Sequence, residues 1–198
     1  MDPLAQHLVI LPILLPFLAG IVLVLIEDRH HAVKLGVNIA ATTMLLVVAT
    51  LLLWQSTYGN GAASPSSYRL GNWPAPFAIV FVSDPLSALM VTLTAVLALA
   101  SVTFSAARWH EAGAHFHSLF QLLLMGLCGA FLTGDLFNLF VFFELLLAAS
   151  YGLMLHGSGV VRVKAGLHYI AINLATSSLF LIGVSLIYAV TGTLNMAD

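Results

Sequence analysis

The 198-residue chain contains six apolar stretches that are separated by polar connections. They comprise residues 4–26, 33–54, 84–107, 116–132, 136–155 and 168–190. Five of the six are at least 20 residues long, which is the length that a helix needs to cross a hydrocarbon core of about 30 Å. The fourth is shorter, and we expect it to be tilted less or to begin within the preceding loop. The pattern predicts an all-α integral membrane protein with about six transmembrane helices.

The connection between the second and third stretches, residues 55–83, is longer than the others and rich in Gly, Ser, Asn and Pro. Its central segment, Gly-Asn-Trp-Pro-Ala-Pro at residues 71–76, predicts irregular backbone. Four aromatic residues flank or occupy the connection, as is typical of a membrane interface. They are Trp54, Tyr58, Tyr68 and Trp73. We therefore expect a loop at the membrane surface with an irregular central segment.

The composition agrees with a protein that is embedded in a lipid bilayer. Hydrophobic residues make up 61% of the chain and charged residues 7%, whereas soluble domains contain about 45–50% and about 25%. Eight acidic residues against six basic ones give no basic surface for nucleic acid. The single cysteine, Cys128, excludes a disulfide framework within the chain.

Basic residues are concentrated on one side of the predicted spans. The connections after the first, third and fifth spans hold five of them, whereas the other side holds only Arg69. The five are Arg29, Lys34, Arg108, Arg162 and Lys164. By the positive-inside rule, both termini of this chain are predicted to be non-cytoplasmic.

Glu144 lies near the middle of the fifth stretch, about 12 Å from its start at about 1.5 Å per residue. A carboxylate at this depth costs about 3 kcal/mol or more unless it is paired, hydrated or protonated. With Lys34 counted among the loop residues, no Lys or Arg lies within a span, and Tyr151 is the only other polar side chain on the same helical face. We predict that Glu144 takes up and releases protons. The alternative is a protonated structural group packed against another helix.

Asp84 and Asp135 each precede an apolar stretch. The Ser-Asp-Pro sequence at residues 83–85 is typical of a helix start, with Asp84 as the N-cap and Pro85 in the first turn. A capping role and a functional role for Asp84 are both open and do not exclude each other. Asp135, in Thr-Gly-Asp, is interpreted as a turn and cap residue.

His168 stands at the predicted cytoplasmic end of the sixth stretch, where an imidazole could pass protons to an internal path. Asn173 and the hydroxyl groups of residues 176–178 follow it and could hold waters or pack against another helix. Packing is the more common use of such residues.

A second group of histidines, His110, His115 and His117, lies around the connection after the third span, together with Glu111. Their spacing matches no standard set of metal ligands, so we interpret them as interfacial residues. Most histidines lie at helix ends or in loops, whereas a haem would need them near the middle of paired spans. We expect no cofactor and no metal site.

Four segments of the chain resemble a known family. The most specific is Thr-Gly-Asp-Leu-Phe-Asn-Leu-Phe-Val-Phe-Phe-Glu-Leu-Leu-Leu at residues 133–147, and the others are residues 70–77, 83–90 and 188–198. Together they resemble Mrp-type cation/proton antiporter subunits, and among these the D-type subunits most closely. These subunits are related to the antiporter-like proton-pumping subunits of respiratory complex I. The resemblance extends over nearly the whole chain.

The resemblance implies roles for three residues. Glu144 matches the essential glutamate of the family's fifth helix, which is thought to take part in proton translocation. Asp84 matches the acid at the start of the third helix. His168 falls where relatives often carry a Lys, so a titratable group is retained there.

The family's members are longer and contain a broken seventh helix whose Lys pairs with the glutamate. We therefore expect this chain to be the N-terminal portion of an antiporter-like helical bundle. Residues 1–115 would form a three-helix transmembrane region. Residues 116–198 would form the truncated start of the proton-translocating repeat.

The resemblance further implies a subunit of a multisubunit Na⁺ or K⁺/proton antiporter in a bacterial inner membrane, with other membrane subunits as partners. Alternatives are a proton-pumping subunit of a complex I-type oxidoreductase or membrane hydrogenase, and a non-transporting scaffold. An intramembrane enzyme is disfavoured because no nucleophile and base are paired at mid-span.

Overall fold

Six α-helices account for most of the part of the chain that the structure describes. The computed structural model of the protein describes residues 7–27, 29–58, 66–72, 79–107, 115–157 and 159–197. The helices are α1 (Leu11–Leu25), α2 (His31–Tyr58), α3 (Pro85–Ser105), α4 (Phe116–Leu132), α5 (Leu136–Met154) and α6 (Val160–Thr191). The predicted number of about six helices is confirmed. Among the described residues, α2, α3, α5 and α6 are long and apolar enough to cross a membrane, and α1 and α4 are shorter apolar helices.

Helix α6 begins eight residues before the apolar stretch that predicted it, at Val160 rather than residue 168. Its first turns contain Arg162 and Lys164, whose charges interrupt the apolar pattern without interrupting the helix. Long basic side chains extend toward water while their backbone remains helical. Hydropathy alone therefore placed the start of this helix too late.

The connection between α2 and α3 contains two strands on either side of the segment predicted to be irregular, and these strands were not predicted. Strands β1 (Ser66–Arg69) and β2 (Val80–Ser83) pair antiparallel, with Ser66 opposite Ser83 and Arg69 opposite Val80. A short 3₁₀ turn, Leu70–Asn72, follows β1 and places Gly71 in the left-handed region at φ 68°. Glycine suits that position because it has no Cβ. Trp73 and the rest of the proline-containing segment lie outside the described residues.

Backbone hydrogen bonds join this hairpin to two other segments at one end of the bundle, here called the hairpin end. The amide of Gly134, between α4 and α5, donates to the carbonyl of Val80 at 2.8 Å. The amide of Leu136 donates to Leu194 at 2.9 Å, and that of Met196 to Gly134 at 2.9 Å. The start of α5 is therefore fixed by residues on both sides of it in the sequence.

Helix α4 is the centre of the packing, because it contacts α1 on one side and α5 on another. Its contact with α5 is close because glycines face larger side chains. A Cβ on Gly126 would lie 2.9 Å from the backbone nitrogen of Leu146, and one on Gly129 would lie 2.2 Å from the ring of Phe142. Small residues allow such backbone approach between membrane helices. Glu144, two residues before Leu146, is held on a helix whose position these glycines set.

Candidate functional site

Glu144 lies on α5 with its side chain half-buried. The helix starts at an N-cap, Asp135, whose carboxylate accepts a hydrogen bond from the amide of Asn138 at 2.8 Å. The predicted capping role of Asp135 is thus confirmed. The Oε1 atom of Glu144 is buried and has no hydrogen-bond partner among the described residues. A buried carboxyl oxygen in that state needs water, a proton or a further donor.

Aromatic rings pack on the hairpin side of Glu144. Phe140, one turn nearer the start of α5, stacks on Phe180 of α6, with 6.3 Å between ring centroids and 9° between planes. Phe143 meets the same ring edge-on at 6.4 Å. These three rings form an apolar layer, here called the phenylalanine layer, between Glu144 and the hairpin end.

Polar side chains occupy the other side of Glu144 along the contact of α5 with α6. Tyr151 lies within electrostatic range of Glu144 and beside Asn173. Its ring meets that of Tyr169 edge-on, with 5.5 Å between centroids. The hydroxyl groups of Tyr169 and Ser150 are 3.3 Å apart at an exposed position. Glu144 is therefore bordered by apolar rings toward one end of the bundle and by hydroxyl and amide groups toward the other.

Asp84 is the N-cap of α3, as its sequence context predicted. Its carboxylate accepts a hydrogen bond from the amide of Ser87 at 2.7 Å, and the Ser87 hydroxyl bonds the same carboxylate. The bonds from the side chain and backbone of Ser87 lower the pKa of Asp84, and partial burial opposes them. Asp84 also lines a pocket of about 900 Å³ at the hairpin end, with Arg69 and Asn195 among the lining residues. Neither Glu144 nor His168 lines that pocket.

His168 is exposed on α6, in the third turn of the helix rather than at its start. Its Nδ1 lies 2.9 Å from the carbonyl oxygen of Lys164, one turn earlier on the same helix. Asp84, Glu144 and His168 therefore occupy three different places on the described part of the chain. The structure does not assemble them into one site.

A buried polar cluster between α2 and α4 was not predicted from the sequence. It comprises Asn38, Thr42, His117 and Gln121, and Lys34 lies one turn from Asn38 on the same face of α2. The Nε2 atom of Gln121 donates to Oδ1 of Asn38 at 2.6 Å and to the Thr42 hydroxyl at 3.1 Å.

Two interpretations are corrected by this cluster. His117, interpreted as interfacial, is only 2% exposed, and Lys34, counted with a loop, is 4% exposed inside a helix. The spacing of Lys34, Asn38 and Thr42 by four residues was the signal that could have revealed a buried polar face. His115 is exposed at the start of α4. His110, Glu111 and Arg108 lie outside the described residues.

No group of three or more His, Cys, Asp or Glu side chains among the described residues could hold a metal ion. The polar atoms around Glu144 instead suit water and protons. The carboxyl of Glu144, the phenol of Tyr151 and the amide of Asn173 together offer both hydrogen-bond donors and acceptors.

Comparison with known proteins agrees with the resemblance noted in the sequence. Residues 133–198 match the family model described as NADH:quinone oxidoreductase/Mrp antiporter, transmembrane. The chain is 63% identical over 194 residues to a probable K(+)/H(+) antiporter subunit, of the D type, from Rhizobium meliloti, covering 98% of this chain and 36% of the relative. It is 42% identical to a D-type Na(+)/H(+) antiporter subunit of Alkalihalophilus pseudofirmus, covering 98% and 38%.

Solved structures give the same picture. A chain in the Mrp complex from Dietzia sp. DQ12-45-1b matches with a TM-score of 0.88 and 39% identity, covering 98% of this chain and 36% of that one. A chain of the membrane-bound sulfane sulfur reductase, an archaeal respiratory membrane complex, matches with a TM-score of 0.82 and 28% identity, covering 98% and 39%. The resemblance to D-type antiporter subunits is confirmed. The chain spans just over a third of the length of these relatives.

Proposed function

We propose that this chain, similar over nearly its whole length to D-type antiporter subunits, is part of such a protein in a Mrp-type monovalent cation/proton antiporter. In this proposal Glu144 takes up and releases the transported proton. The observation that carries it is the buried, unpartnered Oε1 of Glu144 in the middle of a helix that is apolar enough to cross a membrane, among the residues that the structure describes.

The physical basis is the cost of a carboxylate in hydrocarbon. Leaving the ionised group unpaired at that depth costs about 3 kcal/mol or more, so the ionised form needs a nearby cation, water or hydrogen-bond donor. A cation moving near the site would favour the ionised form and release the proton. Exchange of one ion for the other follows if the two cannot occupy the site together.

The proposal extends to the surroundings of the chain. The transported cation is Na⁺ or K⁺, because the relatives are named for one or the other. Other membrane subunits are the partners, and the location is a bacterial inner membrane with both termini of this chain non-cytoplasmic. Asp84 would act at the hairpin end as a cap and as a charge beside the outer pocket. His168 would exchange protons with water at the opposite end.

A second candidate function is a proton-pumping subunit of a redox-driven complex. The structural similarity to a chain of an archaeal respiratory membrane complex favours it, and the matched family model includes NADH:quinone oxidoreductases. Glu144 would have the same protonic role in both. Co-purification of redox subunits with the tagged protein would favour this alternative.

The test is a Glu144→Gln substitution in the complete antiporter complex, with cation-driven proton exchange measured in inverted vesicles. Gln keeps the size of the side chain but cannot ionise, so exchange should be abolished. Glu27→Gln is the matched control, because Glu27 pairs with Arg29 at an exposed position, at 2.7 Å. Exchange that survives E144Q in normally assembled complexes would refute the proposed role and favour a scaffold.

A further inference from the structure

Three polar atoms that lie along one helix–helix contact are buried without a hydrogen-bond partner among the described residues. They are Oε1 of Glu144 and the hydroxyl of Tyr151 on α5, and Nδ2 of Asn173 on α6. Each buried polar atom without a partner costs about 1–3 kcal/mol. Tyr151 and Asn173 lie within reach of each other, whereas Glu144 is about two helical turns from Tyr151. Ordered water therefore belongs between Glu144 and this pair, because water in a polar cleft bonds to groups of this kind.

The order of these groups along the helices has a direction. Tyr151 is seven residues after Glu144, about 10 Å further along α5 and away from the hairpin end. Helical side chains lean toward the N-terminus of their helix, so the Tyr151 phenol leans back toward Glu144. Asn173, on the antiparallel helix α6, leans toward Tyr169 for the same reason. The gap between Glu144 and the exposed pair of Ser150 and Tyr169 is thereby bridged by a phenol and an amide.

Aromatic rings lie in the opposite direction. The phenylalanine layer of Phe140, Phe143 and Phe180 offers no hydrogen-bonding group on the hairpin side of Glu144. A proton passing between these three rings would meet no hydrogen-bonding side chain of the layer. The polar groups on one side of Glu144 and the aromatic rings on the other favour proton movement on the Tyr151 side.

We propose that Tyr151 relays protons between Glu144 and the exposed Ser150–Tyr169 pair, with Asn173 holding the water that joins them. This inference rests on the proposed role of Glu144. In the uptake step, the Tyr151 oxygen accepts a proton from a hydronium ion that enters from the aqueous phase on the Tyr169 side and becomes water. Its own proton passes to water on the Glu144 side, and that water protonates the carboxylate. The phenol ends neutral with one proton moved, and rotation of its O–H restores the starting state. Asn173 donates a hydrogen bond throughout and does not ionise.

Tyr151→Phe in the complete complex tests the relay. The substitution removes one oxygen and keeps the ring that packs against Tyr169, so assembly should be unchanged. We expect the maximal exchange rate to fall about a hundredfold, the low end of what a positioned proton-transfer group contributes. The cation concentration that gives half-maximal exchange should stay the same. The ratio of rates in H₂O and D₂O should rise, because proton delivery becomes limiting. Tyr188→Phe, at a 54% exposed position on α6, is the matched control.

Asn173 gives a second, independent measurement. Asn173→Leu removes the donor and should slow exchange, whereas Asn173→Ser keeps a hydroxyl that can hold water and should retain most of the rate. Equal rates in the two variants would overturn the role of Asn173. A Y151F complex with wild-type rate and isotope effect would overturn the relay, even where E144Q abolishes exchange. Exchange that survives E144Q would instead refute the proposed function itself.

Discussion

Nδ2 of Asn38 lies 2.7 Å from Nδ1 of His117, which joins α2 to α4 across 79 residues of sequence. Because Oδ1 of Asn38 accepts from Gln121, its amide nitrogen faces the imidazole, and Nδ1 of His117 then serves as the acceptor. The buried contact between the two helices is therefore specified by complementary donors and acceptors as well as by apolar packing.

Asn38→Leu should destabilise the protein by about 1–3 kcal/mol, because it leaves His117 and Gln121 buried without this partner. The measurement is thermal unfolding of the purified protein in detergent. Thr43→Val, at an exposed position one turn further along α2 where the hydroxyl bonds only the backbone of Ile39 in the described contacts, is the control. Its effect should stay within about 0.5 kcal/mol. A wild-type melting temperature for N38L would show that the cluster contributes nothing to stability.

Gly126→Ala should destabilise the contact of α4 with α5 by about 1–3 kcal/mol. The new methyl group would lie 2.9 Å from the backbone nitrogen of Leu146, and backbone cannot move aside as a side chain can. Gly36→Ala is the matched control, since no atom lies within 4 Å of the added Cβ and alanine favours a helix. In detergent, G126A should melt at a lower temperature than the wild type, and G36A at a higher one. Equal melting temperatures would contradict the close approach.

Asp84→Ala should cost about 0.5–2 kcal/mol at neutral pH through loss of the N-cap of α3. The folded protein lowers the pKa of Asp84 through the bonds from Ser87. Because this pKa is lower in the folded protein, the ionised carboxylate stabilises the fold. That stabilisation is complete above the pKa of an unfolded Asp, about 3.9, and is lost as the pH falls through the lower pKa of the folded protein. The difference in melting temperature between wild type and D84A should therefore be largest at pH 7 and should decrease below about pH 4.

Asp84→Asn separates the charge from the cap. Asparagine also caps helices well, so D84N should be more stable than D84A at pH 7. Its stability should lack the acid dependence contributed by the carboxylate. A D84A protein as stable as the wild type at pH 7 would remove the basis for both expectations.

The predicted orientation can be measured by cysteine labelling in intact cells and inverted vesicles. Cys128 is fully buried and should not react with a membrane-impermeant maleimide. Ser67→Cys, exposed on β1 at the hairpin end, should be labelled from outside the cell. Glu27→Cys, at the opposite end between α1 and α2, should be labelled only in inverted vesicles. The reverse pattern would invert the topology and with it the side to which the Tyr151 relay opens.

The sequence by itself determined the class of protein and its principal candidate residue. Long apolar stretches must become helices in hydrocarbon, since a helix satisfies its own backbone hydrogen bonds. A lone carboxyl within one of them is conspicuous for its energetic cost, which is how Glu144 was found. The caps at Asp84 and Asp135 were predicted for a similar reason, because capping depends on residues within one turn.

The tertiary structure decided everything that depends on which helices are neighbours. The Asn38–His117 pair, the phenylalanine layer and the polar atoms between α5 and α6 each combine side chains from separate helices. The apolar pattern of a single helix does not specify its partner or its rotation. The hairpin escaped prediction for the same reason, because strands β1 and β2 are short and gain their hydrogen bonds only by pairing with each other. Local hydropathy thus determined the helices, and packing between them determined which polar groups surround Glu144.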